Sequence, residues 1–471
     1  MLLDRGIPQG SKIALLLMNS LEWLPLYFGI LKAGMIAVPL NYRYTAEEIL
    51  YCTEKADCVA LVFGGNFTQR IQDISKQLAD NLHLIYVGSN CPSFAHKLQD
   101  LICYSSSSSP AISLSEDDDA AIYFSSGTTG FPKAVLHKHR SLAHSAIVEV
   151  KHHNQTHDDI FLCIPPLYHT GAKMHWFGSL VVGGKAIILK SASAESILTT
   201  LSDEQCSIAW MLVPWVQDVL DYIDNNKECL SELDLHSMRL MHMGAQPIPP
   251  SLVKRWLSIF PTHEYDTNYG LSEAIGPGCV HLGIENLDKI GSIGKAGYGW
   301  LTKIVDENGA AVASGKVGEL CVQGPGVMSC YYNDVKATKE SFLDGWLMTG
   351  DMAFEDSDGF IYLVDRKKDV IITGGENIYP VQIENFLRKI PQIKDVAVIG
   401  YPDQRLGEIV AAIIEIKPGT NLTKDMIDEH CLLLPRYKRP RIIFFDNVER
   451  NPTGKIDKKK MRAKYCGNST L

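Results

Sequence analysis

The sequence predicts an α/β protein: a large N-terminal lobe of layered α/β subdomains with a β-rich subdomain, followed by a small C-terminal α+β domain. Three observations carry this. Strand, helix and strand patterns alternate from Lys12 to Val213, short strands and turns replace them beyond Gly291, and a charged run at Asp365–Asp369 precedes a final stretch of mixed helix and strand. At 471 residues the chain also exceeds what one ordinary core accommodates.

The alternation begins at Lys12. Ile13–Leu17 reads as a strand, Glu22–Lys32 as a helix, Gly34 as a turn and Ile36–Leu40 as the next strand, with further strands at Cys58–Phe63, His83–Val87, Ala186–Leu189 and Ile208–Val213. Strands separated by helices imply a largely parallel sheet. The run Ser105–Ser109, Pro110 and the acidic Glu116–Asp119 read as a solvated surface connection. Gly318–Gly324 and Gly359–Val364 are short strands of a β-rich subdomain spanning about 291–364. After the charged run come a helix at Val381–Arg388 and strands at Asp395–Gly400 and Ile409–Ile416, which divides the chain into domains 1–367 and 368–471.

Composition narrows the function. A net charge of −9 supplies no electrostatic basis for a nucleic-acid partner, whose affinity rests on Lys and Arg neutralising phosphates. Twelve cysteines without a CxxC pair fit reduced thiols in the cytoplasm, and the fifteen histidines contain no HExxH. The apolar stretch Ile13–Ile30 is interrupted by Asn19, Ser20, Glu22 and Pro25, which argues against a membrane span. Asp4 precedes any apolar core and no cleavage site follows, so no secretory signal is expected.

The strongest local signal is the segment from Ala121 to Lys133, in which an apolar strand runs into Ser125, Ser126, Gly127, Thr128, Thr129, Gly130 and then Lys133. Close backbone N–H groups, hydroxyl donors and one cation are what a polyphosphate requires. The spacing is not that of a Walker loop, and taken alone the segment is also an ordinary Gly/Ser/Thr turn. Further segments follow in order: Gly244-Ala245-Gln246-Pro247, Tyr269-Gly-Leu-Ser272-Glu273, Gly345-Trp-Leu-Met-Thr-Gly-Asp351, Asp365-Arg366, Gly374-Gly375-Glu376-Asn-Ile-Tyr-Pro380 and Asn451-Pro-Thr-Gly-Lys455. In isolation Tyr269–Glu273 reads as a helix start capped by Ser272, Arg366 as a surface salt bridge and Lys455 as one more lysine of a basic tail.

Together these motifs closely resemble the acyl-adenylate-forming (AMP-binding) superfamily, over essentially the whole chain, and its acyl-CoA synthetase branch in particular. The resemblance implies a ligase that uses ATP and Mg²⁺ to convert a fatty or aromatic carboxylic acid into its acyl-adenylate, releasing pyrophosphate, then passes the acyl group to coenzyme A and releases AMP. It implies that Ser125–Gly130 and Lys133 cradle the triphosphate, that Gly244, Ala245, Gln246 and Tyr269 contact adenine, and that Ser272 bonds the α-phosphate. Glu273 would hold Mg²⁺, Asp351 the ribose hydroxyls, and Arg366 the ribose and phosphate. His169, in Pro165-Pro-Leu-Tyr-His169-Thr-Gly171, matches a gate between ATP and acid. Lys455 would be the main catalytic residue, its ammonium offsetting charge at the α-phosphate. The C-terminal domain would swing about a hinge at Lys368, presenting first Lys455 and then Thr373, Gly374, Gly375 and Glu376 along the pantetheine path. Lys438, in a basic run, would meet the CoA phosphates.

The chain departs from the family at Ala134, where Gly is usual, and in lacking prolines between Gly297 and Lys303. Met1 aligns some tens of residues into the family's domain, so the N-terminal domain is expected to be short. Two enzyme alternatives share the adenylate, namely loading of a separate carrier protein and luciferase-like oxygenation. A nucleotide-binding scaffold without turnover is the non-enzymatic one. Oligomeric state and the identity of the acid are not legible.

Overall fold

The structure, a computed structural model, describes residues 1–78, 82–125, 132–246, 248–451 and 455–467, the side chains of Ala172, Met174 and Pro277 excepted. Compactness divides the chain into two units, Met1–Thr302 with Val322–Leu347, and Lys303–Cys321 with Met348–Leu471.

The first unit holds two sheets. An eight-stranded sheet runs in the order Cys330–Tyr331, Lys133–Lys138, Asp119–Ser125, Ile36–Pro39, Lys12–Leu16, Cys58–Gly64, His83–Val87, His96–Lys97. Its central strands are parallel, as the alternating pattern predicts, and Ile13 to Leu16 are wholly buried on both faces. The two strands that flank the Ser/Thr/Gly segment pair antiparallel with each other. A seven-stranded sheet follows, in the order Lys295–Ala296, Gly276–His281, Glu264–Leu271, Leu240–Gly244, Ile208–Leu212, Ile160–Cys163, Lys185–Ile188. Its core pairs are also parallel.

Both sheets contribute to one apolar cluster that includes Ile13, Trp23, Tyr27, Phe161, Phe177, Trp210 and Leu240. Side chains of this size contribute about 1.5–3 kcal/mol each on burial. Phe177 tilts against Tyr27 at 5.9 Å and Phe28 at 5.2 Å, which makes it a core residue. Within the cluster lies a fully buried lysine, Lys173, whose ammonium nitrogen sits 4.2 Å from the ring centre of Tyr123, 4.6 Å from Tyr27 and 5.1 Å from Trp23. Burial holds its pKa well below that of an ordinary lysine.

Most of a third, five-stranded sheet belongs to the second unit, with Ile361–Arg366 pairing antiparallel with Trp346–Glu355. The charged run expected as a break begins inside this strand. Asp365 and Arg366 are its last two residues, and only Lys367–Asp369 leave it, as a single 3₁₀ turn. The reason is that the buried Asp365 carboxylate accepts the backbone N–H groups of Arg366 and Val381, both at 2.8 Å. A fourth sheet, in the order Glu376–Ile378, Ile371–Thr373, Gly407–Ile416, Ile393–Asp403 with Ile442–Phe445 beside Gly407–Ile416, forms the C-terminal core with the helix Pro380–Leu387. Among the described residues no helix is long and apolar enough to cross a membrane.

Candidate active site

The site in the first unit is built where strands end. Leu240–Gly244 and Glu264–Leu271 lie side by side and parallel, so Ala245–Gln246 and Ser272–Glu273 leave the sheet at the same, C-terminal edge, with Gly244 and Tyr269 in the strand ends before them. In open α/β sheets that edge is where ligands bind. Gly244 is pressed against Trp210 and Asn268, so that a Cβ there would come within 3.2–3.3 Å of both. Ala245 has a left-handed backbone, φ 70°, a conformation a non-glycine residue adopts only where its surroundings impose it. Tyr269 is buried and continues the strand. Ser272 does not cap a helix: it begins a 3₁₀ turn, Ser272–Ala274, whose N-cap position is Leu271.

Three contacts fix this turn. The ring of His137 donates from Nε2 to the Ser272 carbonyl at 2.7 Å, since a carbonyl only accepts. The backbone N–H of Met328 donates to the Glu273 carbonyl at 2.8 Å. Tyr331 donates its phenolic proton to Glu273 Oε1, also at 2.8 Å. Burial first, and then the neighbouring Glu273 carboxylate, push the Tyr331 pKa up, so the phenol keeps its proton.

Tyr331 in turn reaches the phosphate-loop candidate. Its strand pairs with Lys133–Lys138, and the Lys133 ammonium lies 4.5 Å from its ring centre. Ser125 and Lys133 are cross-strand partners. Ser126, Gly127, Thr128, Thr129 and Gly130 lie outside the described residues. His169 enters from another direction, as the N-cap residue of the helix Thr170–Val182. A Cβ on Gly276, φ 78°, would stand 3.0 Å from the Gly171 nitrogen, so only glycine lets that helix start pack against the segment after Glu273. Lys133, Ser272, Glu273 and the residues next to His169 are thereby brought together.

The remaining candidates sit in the second unit. Asp351 is buried and faces Arg366 across the strand pair, with Nε 2.6 Å from Oδ1. Thr349 shapes the turn before it, donating to the Leu320 carbonyl at 2.7 Å and accepting the Asp351 N–H at 3.1 Å. Glu319 accepts the Gly350 N–H at 3.0 Å and pairs with Lys367 at 2.8 Å. Thr373 and Glu376 end two strands joined by Gly374, φ 57°, and Gly375, φ 89°. Two positive φ values in a two-residue hairpin make a type I′ turn, which favours glycine at both positions. Lys438 donates to Gln382 Oε1 at 2.9 Å. Lys455 is exposed, and its backbone is clipped to Asn451 by N–H donation to Oδ1 at 3.1 Å and acceptance from N at 2.9 Å.

The segment around Lys368 is held by the last helix, Lys458–Cys466. Arg462 donates to the Lys368 carbonyl at 3.2 Å and pairs with Asp369 at 3.3 Å. The nearly buried Lys458 ammonium lies 2.8 Å from Glu384 Oε1. Burial raises the Asp365 pKa to about 6, with Lys458 and the two backbone N–H donors opposing that rise. Tyr331, His137 and this Lys458 network are features that sequence reasoning missed. No motif marks them, since each acts on a residue far away in the chain.

Residues 1–332 match the AMP-binding enzyme family and residues 382–455 the AMP-binding enzyme C-terminal domain. A long-chain-fatty-acid–CoA ligase of Mycobacterium tuberculosis is 32% identical, over 98% of this chain and 89% of that protein. A 2-succinylbenzoate–CoA ligase of Bacillus cereus is 28% identical over 97% and 89%. Among solved structures, ATP-bound MatB from Rhodopseudomonas palustris superposes with a TM-score of 0.89 at 27% identity, covering 100% of this chain and 91% of that one. With motifs, fold and both matches in agreement, the chain belongs to the AMP-binding enzyme family, the acyl-adenylate-forming superfamily, in its acyl-CoA synthetase branch.

Proposed function

We propose that this enzyme is an ATP-dependent carboxylic acid:CoA ligase that takes a fatty or aromatic acid. The observation that carries the reading is the contact chain from Lys133 through Tyr331 to Glu273, which joins a cation at the end of the phosphate-loop segment to a carboxylate at a strand terminus. In the first step the substrate carboxylate, ionised at neutral pH, attacks the α-phosphorus of ATP. The bond to the β-phosphate bridge breaks and pyrophosphate leaves. In the second step the CoA thiol attacks the acyl carbon, the mixed anhydride opens and AMP leaves.

Each residue has a proposed part. Ser125–Gly130 and Lys133 hold the β- and γ-phosphates, Gly244–Gln246 and Tyr269 the adenine, Ser272 the α-phosphate, and Asp351 with Arg366 the ribose. His169 separates the acid from the nucleotide. Glu273 fits a magnesium ligand, being a carboxylate steadied by a neutral phenol beside a phosphate-binding lysine, and a hard cation on phosphates needs only one or two such groups. Mg²⁺ held there neutralises phosphate charge. Lys455 offsets charge on the reacting carboxylate and α-phosphate. Residues 368–471 form the mobile domain with Lys368 as its hinge, and in the second step Thr373–Glu376 line the pantetheine arm while Lys438 meets the CoA phosphates. The relatives named above, one acting on long-chain fatty acids and one on 2-succinylbenzoate, support the acid classes. Twelve cysteines carried as free thiols support a cytoplasmic setting.

The test is acid-dependent ATP–pyrophosphate exchange, followed by CoA-dependent AMP release, across a panel of fatty and aryl acids. Exchange together with thioester formation is expected for at least one class. Folded protein that exchanges with none overturns the proposal.

A further inference from the structure

Beneath the strand ends that carry Gly244 and Tyr269 lies a wholly buried cluster of imidazoles and carboxylates for which adenylation chemistry has no use. Glu149 is on the helix His139–His152 and His153 caps it, one turn on. His175 comes from the helix Thr170–Val182, and His242 from the strand Leu240–Gly244. All four side chains are inaccessible to solvent, and each presents a ligand atom within 4.8 Å of every other.

The closest approaches are tighter. Glu149 Oε2 lies 2.9 Å from His175 Nδ1 and 3.4 Å from His153 Nε2, and His153 Nε2 lies 2.9 Å from His242 Nδ1. A tetrahedral zinc with bonds of 2.0–2.1 Å has ligand atoms about 3.3 Å apart; one of these separations matches such an edge at 3.4 Å, two are shorter at 2.9 Å, and the remaining pairs lie within 4.8 Å. Three imidazoles and one carboxylate are a zinc donor set.

Hydrogen bonding leaves this cluster unfinished. Of the nitrogens that face its centre, His175 Nδ1 is buried without a hydrogen-bond partner of acceptable geometry, and such an atom is costly. One neighbour stands where an outer group of a metal site would, His281 against the second oxygen of Glu149, while Asp266 faces the inward nitrogen of His242. Asp266 Oδ2 lies 3.8 Å from His242 Nδ1 and 3.2 Å from His281 Nδ1, and His281 Nε2 lies 3.3 Å from Glu149 Oε1. The Asn268 amide nitrogen lies 3.1 Å from His175 Nε2. The same Asn268 amide nitrogen donates to both oxygens of Glu149, at 3.1 and 3.3 Å, and so fixes the carboxylate within the cluster.

The geometry points to a structural zinc site formed by Glu149, His153, His175 and His242. Four protein ligands close the coordination sphere, so the ion fastens two helices to the sheet edge that carries the nucleotide-binding turns, without entering the reaction. Binding also displaces protons from the cluster, which couples occupancy to folding.

The experiment uses the full-length enzyme, freed of any affinity tag and expressed with zinc in the medium. Elemental analysis after gel filtration in the presence of EDTA is expected to find about one zinc per chain, released on denaturation. Glu149→Gln and His242→Gln should each lower that content to below about a tenth, and cobalt loaded in place of zinc should give the absorption of a tetrahedral site in the wild type alone. Should the variants not fold, the wild-type measurement decides. Folded wild-type protein that holds less than about a tenth of an equivalent of any divalent metal, with an unfolding temperature indifferent to added zinc, overturns the proposal. Neither reading depends on which acid is activated, or on whether one is.

Discussion

Tyr331 donates to Glu273 at 2.8 Å while the face of its ring carries the ammonium of Lys133. One aromatic side chain thus sets both the proposed metal ligand and a proposed phosphate contact, through its edge and its face. Tyr331→Phe keeps the face and removes the edge contact. The expected result is a loss of about tenfold in ATP–pyrophosphate exchange, the worth of one hydrogen bond to a charged group. It should be accompanied by a higher Mg²⁺ requirement and little change in ATP affinity without metal. A titration of exchange rate against Mg²⁺ measures it, and an unchanged Mg²⁺ midpoint would assign Tyr331 to packing alone.

Lys455→Ala should separate the two half-reactions. Loss of a cation aimed at developing charge costs about 10²–10³-fold. That loss should fall on adenylation, measured by exchange, and leave thioester formation from supplied acyl-adenylate within a few fold. Equal losses in both steps would remove Lys455 from its assigned part.

Acid should loosen the first unit through His137. Burial lowers its pKa from 6.5 to about 4 in the folded protein, where its Nε2 proton is committed to the Ser272 carbonyl. The unfolded chain binds this proton first, so the contribution is complete above pH 6.5 and is lost as pH falls towards 4, amounting to about 3 kcal/mol. His263, also lowered to about 4 by burial, acts in the same direction. Denaturant unfolding at a series of pH values measures the slope, which His137→Asn should reduce between pH 6.5 and 4.

Lys458→Met should destabilise the second unit. It leaves the buried carboxylates of Glu384 and Asp365 without their cation, and breaking a buried pair costs about 3–5 kcal/mol. Glu384→Gln in the same chain should recover part of the loss. Thermal unfolding followed by proteolysis of the C-terminal segment reports it, and a variant as stable as the wild type would show the network to be relaxed.

Where the chemistry is local, the sequence reading succeeded. Parallel strands such as Ile13–Leu16 announce themselves by apolar runs buried on both faces. What acts across the fold escaped it. Tyr331 and Glu273 are 58 residues apart, and Tyr331 sits in an unremarkable Cys330-Tyr331-Tyr332. Glu149, His153, His175 and His242 share no motif because they come from two helices and a strand that only the folded sheet gathers. The charged run at Asp365–Asp369 begins inside a strand for the same reason. Charge normally signals solvent, and here backbone donors from a later helix draw Asp365 into the interior.

Lys173, enclosed by Trp23, Tyr27 and Tyr123, carries an amine that water does not reach. Amine-directed reagents therefore meet it only when the aromatic walls part, long after the surface lysines have reacted. Its modification rate is a built-in clock for opening of the N-terminal interior, and nucleotides that tighten the lobe should slow it.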